Sequence, residues 1–218
     1  MKLARVFCFL IILGSSSIAA CAQTTIFDNF GSGHTSNNGV LWTVDGPTSG
    51  QDTLRYPAMG FMPGVTASLS QIDFAISYIS GTTNSVTLSL SQNATGEPGT
   101  VIQSWTETGL PNADGSFTNS FDTVLGSGET LTAGQLYWLV ASAPSDTVDG
   151  WNYTTSADIG PLAWNYEDGL GWDPPITETQ GAFDVLGAPS TVPEPGSLLL
   201  FGTGLLGIVG AARRKWLR

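Results

Sequence analysis

Carboxylates are the residues this chain supplies most freely for chemistry, and few partners accompany them. Glu167, Asp168, Asp173 and Glu178 share one stretch with Trp164, Tyr166 and Trp172. Paired acids beside aromatic rings are how a glycoside hydrolase provides its acid and its base or nucleophile. The same segments also read as turns. Glu167-Asp168-Gly169 and Trp172-Asp173-Pro174-Pro175 mix acids with Gly and Pro, and acids in such turns are normally solvated. The turn reading is preferred, and a glycosidase-like hydrolase stays as an alternative. Other mechanisms lack their residues. His34 is the only histidine and lies in a Gly- and Ser-rich run, where a mobile surface imidazole is expected rather than a supported base. Residues 23–191 hold neither Lys nor Cys, which excludes Schiff-base, phosphate-loop and thiolate chemistry and the usual zinc ligand sets. No catalytic residue is assigned, and the chain is expected not to be an enzyme.

Two binding chemistries remain. Asp146, Asp149 and Asp158 punctuate a Gly-containing segment, and oxygen ligands on loops suit Ca²⁺ outside the cell. Their spacing fits no EF-hand loop, so no cofactor is assigned and Ca²⁺ stands as the single alternative. Trp151, Tyr153, Trp164, Tyr166 and Trp172 fall within 22 residues, interleaved with Asn152, Asn165 and Asp168. Exposed rings flanked by amides match a sugar, which offers C–H on its face and hydroxyls at its rim. Trp151, Trp164 and Trp172 are therefore the candidate glycan contacts, with core packing as their competing use. Trp105 and Trp138 lie on strand patterns and belong to a core.

The elements that must carry these residues are strands. Ile72, Phe74, Ile76 and Tyr78 alternate with Asp73, Ala75 and Ser77, and Val86, Leu88 and Leu90 alternate with Thr87 and Ser89. Gly81-Thr82-Thr83-Asn84 between these runs predicts a hairpin. Gln135 to Ala141 is apolar on both faces and predicts a central strand. Further strands are expected within 25–30, 40–44, 101–106, 117–124 and 182–186. No segment of the body carries a capped 3.6-residue stripe. An all-β fold follows, an antiparallel β-sandwich or a jelly-roll-like domain.

Charge narrows the partners. Arg55 is the sole cation of residues 23–191, against 17 Asp and Glu. Such a body repels polyanions, so nucleic acid is excluded as a partner. The dispersed acids, six Trp and regular alternation argue against disorder. Both ends differ in composition. Lys2 and Arg5, an apolar run from Val6 to Leu13 and small residues from Ser15 to Ala22 form a secretory signal peptide over residues 1–22. Ala20-Cys21-Ala22 fits cleavage before Gln23, and Ile18-Ala19-Ala20-Cys21 fits a lipidation site on Cys21 as the second option. Cys8 is lost either way, which leaves the exported protein without a disulfide.

The carboxyl end, residues 192–218, has three parts. Val192-Pro193-Glu194-Pro195 breaks regular structure, residues 197–212 form an apolar segment, and residues 213–218, with Arg213, Arg214 and Lys215, end the chain in positive charge. The apolar segment predicts one short transmembrane helix of ~24 Å, with its basic end held in the cytoplasm and everything before Pro193 outside. This order resembles the PEP-CTERM sorting tail of Gram-negative bacteria, which the membrane transpeptidase exosortase recognises. Leu69 to Leu90, Gly96 to Val101, Tyr137 to Ser142 and Gly150-Trp151-Asn152 further resemble the choice-of-anchor R type domain, an extracellular β domain joined to alternative sorting tails. These resemblances imply export, an inner-membrane precursor with its ectodomain in the periplasm, and delivery to the cell surface or beyond. They imply exosortase as processing partner and an exopolysaccharide- or biofilm-rich setting. The expected protein is a non-enzymatic surface or matrix protein occupying residues 23–191, with a carbohydrate-binding module as the alternative.

Overall fold

A computed structural model describes residues 23–51, 55–113, 117–118, 120–166 and 170–188. Both terminal signals, and with them the expected transmembrane helix, lie outside these residues. All regular structure among the described residues is β. The strands in chain order are β1 (Thr24–Asp28), β2 (Ser36–Asp45), β3 (Tyr56–Phe61), β4 (Ala67–Phe74), β5 (Ile76–Ser80), β6 (Ser85–Ala94), β7 (Glu97–Thr108) and β8 (Phe117–Thr118). They continue with β9 (Asp122–Leu125), β10 (Thr130–Leu131), β11 (Tyr137–Ser142), β12 (Val148–Thr154), β13 (Ile159–Asn165), β14 (Ile176–Thr179) and β15 (Phe183–Gly187).

Three antiparallel sheets result. The largest runs β14-β13-β3-β11-β6-β7, a second runs β5-β12-β2-β8, and a third runs β1-β15-β4-β10 with β9 also on β4. The arrangement is β-sandwich-like. β11 lies between β3 and β6, and Trp138 and Leu139, on its opposite faces, are both fully buried. A strand at the middle of a sheet covered on both sides needs that two-sided apolarity.

One expectation fails in an instructive way. Ile72 to Tyr78 is not a single strand, and Gly81 to Asn84 do not close a hairpin between its end and β6. β4 ends at Phe74, β5 begins at Ile76, and Ala75 is the corner between two sheets. Its N–H donates to Ala182 O at 3.0 Å, and its carbonyl accepts from Asn152 N–H at 2.9 Å. β5 then pairs with β12, while β6 pairs with β11 and β7. The alternation is uninterrupted across the corner because both segments bury the same face, so periodicity alone cannot reveal the change of partner.

The principal core lies between the sheets and includes Phe61, Ile72, Phe74, Leu88, Leu139, Trp151 and Phe183, all essentially inaccessible. A smaller cluster of Ala58, Trp138 and Ala163 covers the other face of the large sheet. Gly181 shows how closely the sheets approach. A Cβ there would meet the Trp151 ring at 2.3 Å.

Candidate aromatic cleft and acidic row

Two of the three sheets meet at an aromatic cleft. Trp42 on β2 and Trp164 near the end of β13 approach edge to face, with centroids 5.2 Å apart at 71°. Trp42 also packs on Tyr153 at 5.0 Å, and Trp164 lies nearly parallel to Tyr166 at 6.3 Å. Each ring has a local reason for its place. The Trp42 indole donates to Thr179 O at 2.7 Å, which ties it to the end of β14. Trp164 pairs in register with Pro57 on β3. Pro57 lacks an N–H, and β11 pairs only with residues 58–61 of β3.

The cleft has a volume of about 310 Å³ and is lined by Leu41, Trp42, Thr43, Arg55, Trp164 and Tyr166. Its rings are half-buried, with part of each surface still accessible. Arg55, the one cation of the body, is exposed at this cleft. It acts on its surroundings. Burial raises the Asp45 carboxyl above its ordinary value, and the Arg55 charge partly opposes that rise. Stacking surface, hydroxyl and guanidinium therefore line one opening, a combination suited to a sugar ring and its substituents.

The sequence-derived contacts separate in space. Trp164 lines the cleft. Trp172 is half-buried against Ala58, Trp138 and Ala163 on the opposite face of the large sheet, although Asp173 N–H donates to Trp164 O at 2.8 Å. Trp151 is fully buried in the principal core, its indole donating to Ala182 O at 3.2 Å. A ring with no accessible surface cannot stack on a ligand, so Trp151 leaves the candidate set. Trp42 and Arg55 were not legible as site residues. Trp42 reads as one alternating strand position, and only the packing of β2 beside β13 brings it to Trp164.

The carboxylates divide likewise. Glu167 and Asp168 lie outside the described residues, while Asp173 and Glu178 are exposed. The expected Ca²⁺ ligands do not converge. Asp146 accepts from Thr82 N–H and Oγ1, and those bonds hold it below the usual carboxylate range. Asp158 accepts from Ser156 Oγ at 2.6 Å. Asp149 is fully buried, neither oxygen has a hydrogen-bond partner, and burial pushes its carboxyl up to about 7.

A different acid cluster emerges. Asp28, Asp184, Asp73 and Thr123 are successive register partners across β1, β15, β4 and β9. Asp73 and Asp184 are buried, at 4% and 5% exposure. Asp73 accepts from Gln71 Nε2 on both oxygens and from Thr123 Oγ1 at 2.6 Å. Asp184 accepts from Asp73 N–H at 3.2 Å. Burial, and then the neighbouring Asp73, push the Asp184 carboxyl up to about 7. His34 covers this row, which corrects the expectation of a mobile surface imidazole. Its ring stacks on Phe30 at 3.9 Å and tilts against Phe121 at 4.4 Å.

The remaining functional signal is in the tail. Residues 191–215 match the PEP-CTERM protein-sorting motif. The match contains Val192, Pro193, Glu194, Pro195, Arg213, Arg214 and Lys215, all outside the described residues. It points to an exosortase-targeted secreted surface protein, made as a membrane-anchored precursor, with exosortase as the processing partner. No curated protein and no solved structure matches the chain, and neither comparison supports the choice-of-anchor R resemblance of the body.

Proposed function

We propose that this is a non-enzymatic surface or matrix protein whose β domain binds a glycan of the surrounding exopolysaccharide through the Trp42–Trp164–Tyr166 cleft. One observation carries the reading: three half-buried rings and the only cation of an acidic body line the same opening. Trp164 and Tyr166 supply stacking surface, Thr43 a hydroxyl, and Arg55 a planar donor for ring oxygens or an occasional sugar carboxylate. The negative body disfavours densely charged polymers, so a neutral or sparsely acidic glycan is the expected ligand. Each ring contributes modestly, and retention in a polymer matrix relies on many weak contacts. The sorting motif supports this reading only as far as delivery to the surface, where such polymers would be met.

Affinity electrophoresis through gels containing neutral, sparsely acidic and strongly acidic polysaccharides tests this with the exported protein. Trp164→Ala and Arg55→Gln should each weaken retardation about five- to tenfold, the scale of one aromatic contact, in protein that remains folded. Retardation that survives both substitutions would remove the cleft from the reading. Release of reducing sugar from any polymer would instead favour a hydrolase.

The tail makes a separate prediction. Pro-flanked backbone is extended and open to a processing enzyme. Replacing Pro193, Glu194 and Pro195 by Ala should leave the precursor uncleaved in the membrane fraction. Wild-type size and yield in the medium would contradict its role in sorting.

A further inference from the structure

The geometry points to a divalent transition-metal site formed by His34, Asp73 and Asp184. One ring nitrogen of His34 and one carboxylate oxygen from each Asp lie within 4.8 Å of one another. Ligands on one Zn²⁺, at bonds of about 2.0–2.2 Å, stand roughly 3–3.5 Å apart, so side-chain adjustments of about 1 Å would close the set. Two directly paired, buried acids repel each other. Asp28, exposed at the end of the same row, adds negative charge, and its carboxylate is held by Phe30 N–H at 2.9 Å. Among the described residues no Lys or Arg offsets this charge, because Arg55 is their only cation and exerts its effect on Asp45.

A second observation is independent of the acids. His34 Nε2 is buried and has no hydrogen-bond partner. Buried polar atoms are rarely left so unless a ligand or a water completes them. Stacking on Phe30 and a tilted contact with Phe121 fix the ring plane, and Gln71 and Thr123 orient the Asp73 carboxylate. Outer-shell bonds of this kind orient metal ligands. The donor set selects the ion. One imidazole and two carboxylates suit Zn²⁺ or Mn²⁺, whereas Ca²⁺ requires six to eight oxygens. His34 lies in the connection between β1 and β2, so an ion would pin that connection to the third sheet.

The test uses untagged exported protein stripped with a chelator, then titrated with ZnCl₂, MnCl₂ or CaCl₂ alone. Zn²⁺ or Mn²⁺ should raise the melting temperature saturably, by at least about 3 °C, at one ion per chain. His34→Gln and Asp184→Asn should weaken binding tenfold or more. Because His34 is the only histidine of the chain, its ring ¹⁵N resonances report directly, and Zn²⁺ should shift them in the unsubstituted protein. Unmoved His34 resonances, binding retained in both variants, or a response to Ca²⁺ alone would each overturn the assignment.

Discussion

Between pH 4 and pH 7 the exported protein is expected to lose stability as pH rises; Asp184 acts in the same direction as Asp149, and Asp149 is the simpler case because burial is its only cause. It lies two residues before Trp151 on β12, in register with Val44 on β2 and Tyr78 on β5. Neither carboxylate oxygen meets a donor, and burial alone lifts the group from 3.8 to about 7. The sign follows from proton counting. Above pH 4 the unfolded chain releases this proton while the folded chain keeps it, so folding is penalised progressively until pH reaches about 7. The contribution is fully present below pH 4, and its loss amounts to at most about 4 kcal/mol. At roughly 2–4 °C per kcal/mol for a domain of this size, the melting temperature should fall by about 10 °C. Asp146 opposes this only below pH 4, since its carboxyl is held under its ordinary value. Asp149→Asn carries no titratable proton. Its melting temperature should equal the wild type's at pH 4, exceed it at pH 8, and vary less between. A wild-type curve that is flat or rising across the window would refute the assignment, as would an unchanged slope in Asp149→Asn.

Trp151→Ala should be the most destabilising of the aromatic substitutions. The ring is fully buried, meets Phe183 at 5.9 Å and 62°, and donates its N–H to Ala182 O. Its removal leaves a cavity between sheets and takes one of two donors from Ala182 O, which keeps the Ala75 N–H, at about 3–5 kcal/mol, or a fall of roughly 6–20 °C in melting temperature. Trp164→Ala should cost far less, because part of that ring already faces solvent in the cleft. The two variants together distinguish a core ring from a binding ring. Loss of glycan binding in Trp151→Ala should follow its unfolding curve, whereas loss in Trp164→Ala should occur in folded protein. A Trp151→Ala protein that melts with the wild type would show that the ring is not part of the core.

Much of the architecture was legible in the chain because burial imposes a period on it. Val86, Leu88 and Leu90 fall on β6 and are all inaccessible, and the two-sided apolarity of Gln135 to Ala141 marks the middle strand of the large sheet. The sorting tail was legible for a different reason. A Pro-flanked segment, an apolar run and a basic end are read by their order along the chain, so no folding is needed to recognise them.

Strand partners were not legible. The hydrophobic period states which face a residue buries, yet it is silent on which strand lies beside it, and so the corner at Ala75 and the separation of β5 from β6 were missed. The sites follow the same division. The sequence by itself determined that the protein is β-rich, acidic and tagged for sorting, because local pattern and net charge are properties of order and composition. Only the tertiary structure decided that Trp151 is core, that Trp42 and Arg55 join Trp164, and that His34 lies over Asp73 and Asp184. Those juxtapositions depend on pairing between residues as far apart as β1 and β15, and no local signal encodes a contact made at that separation.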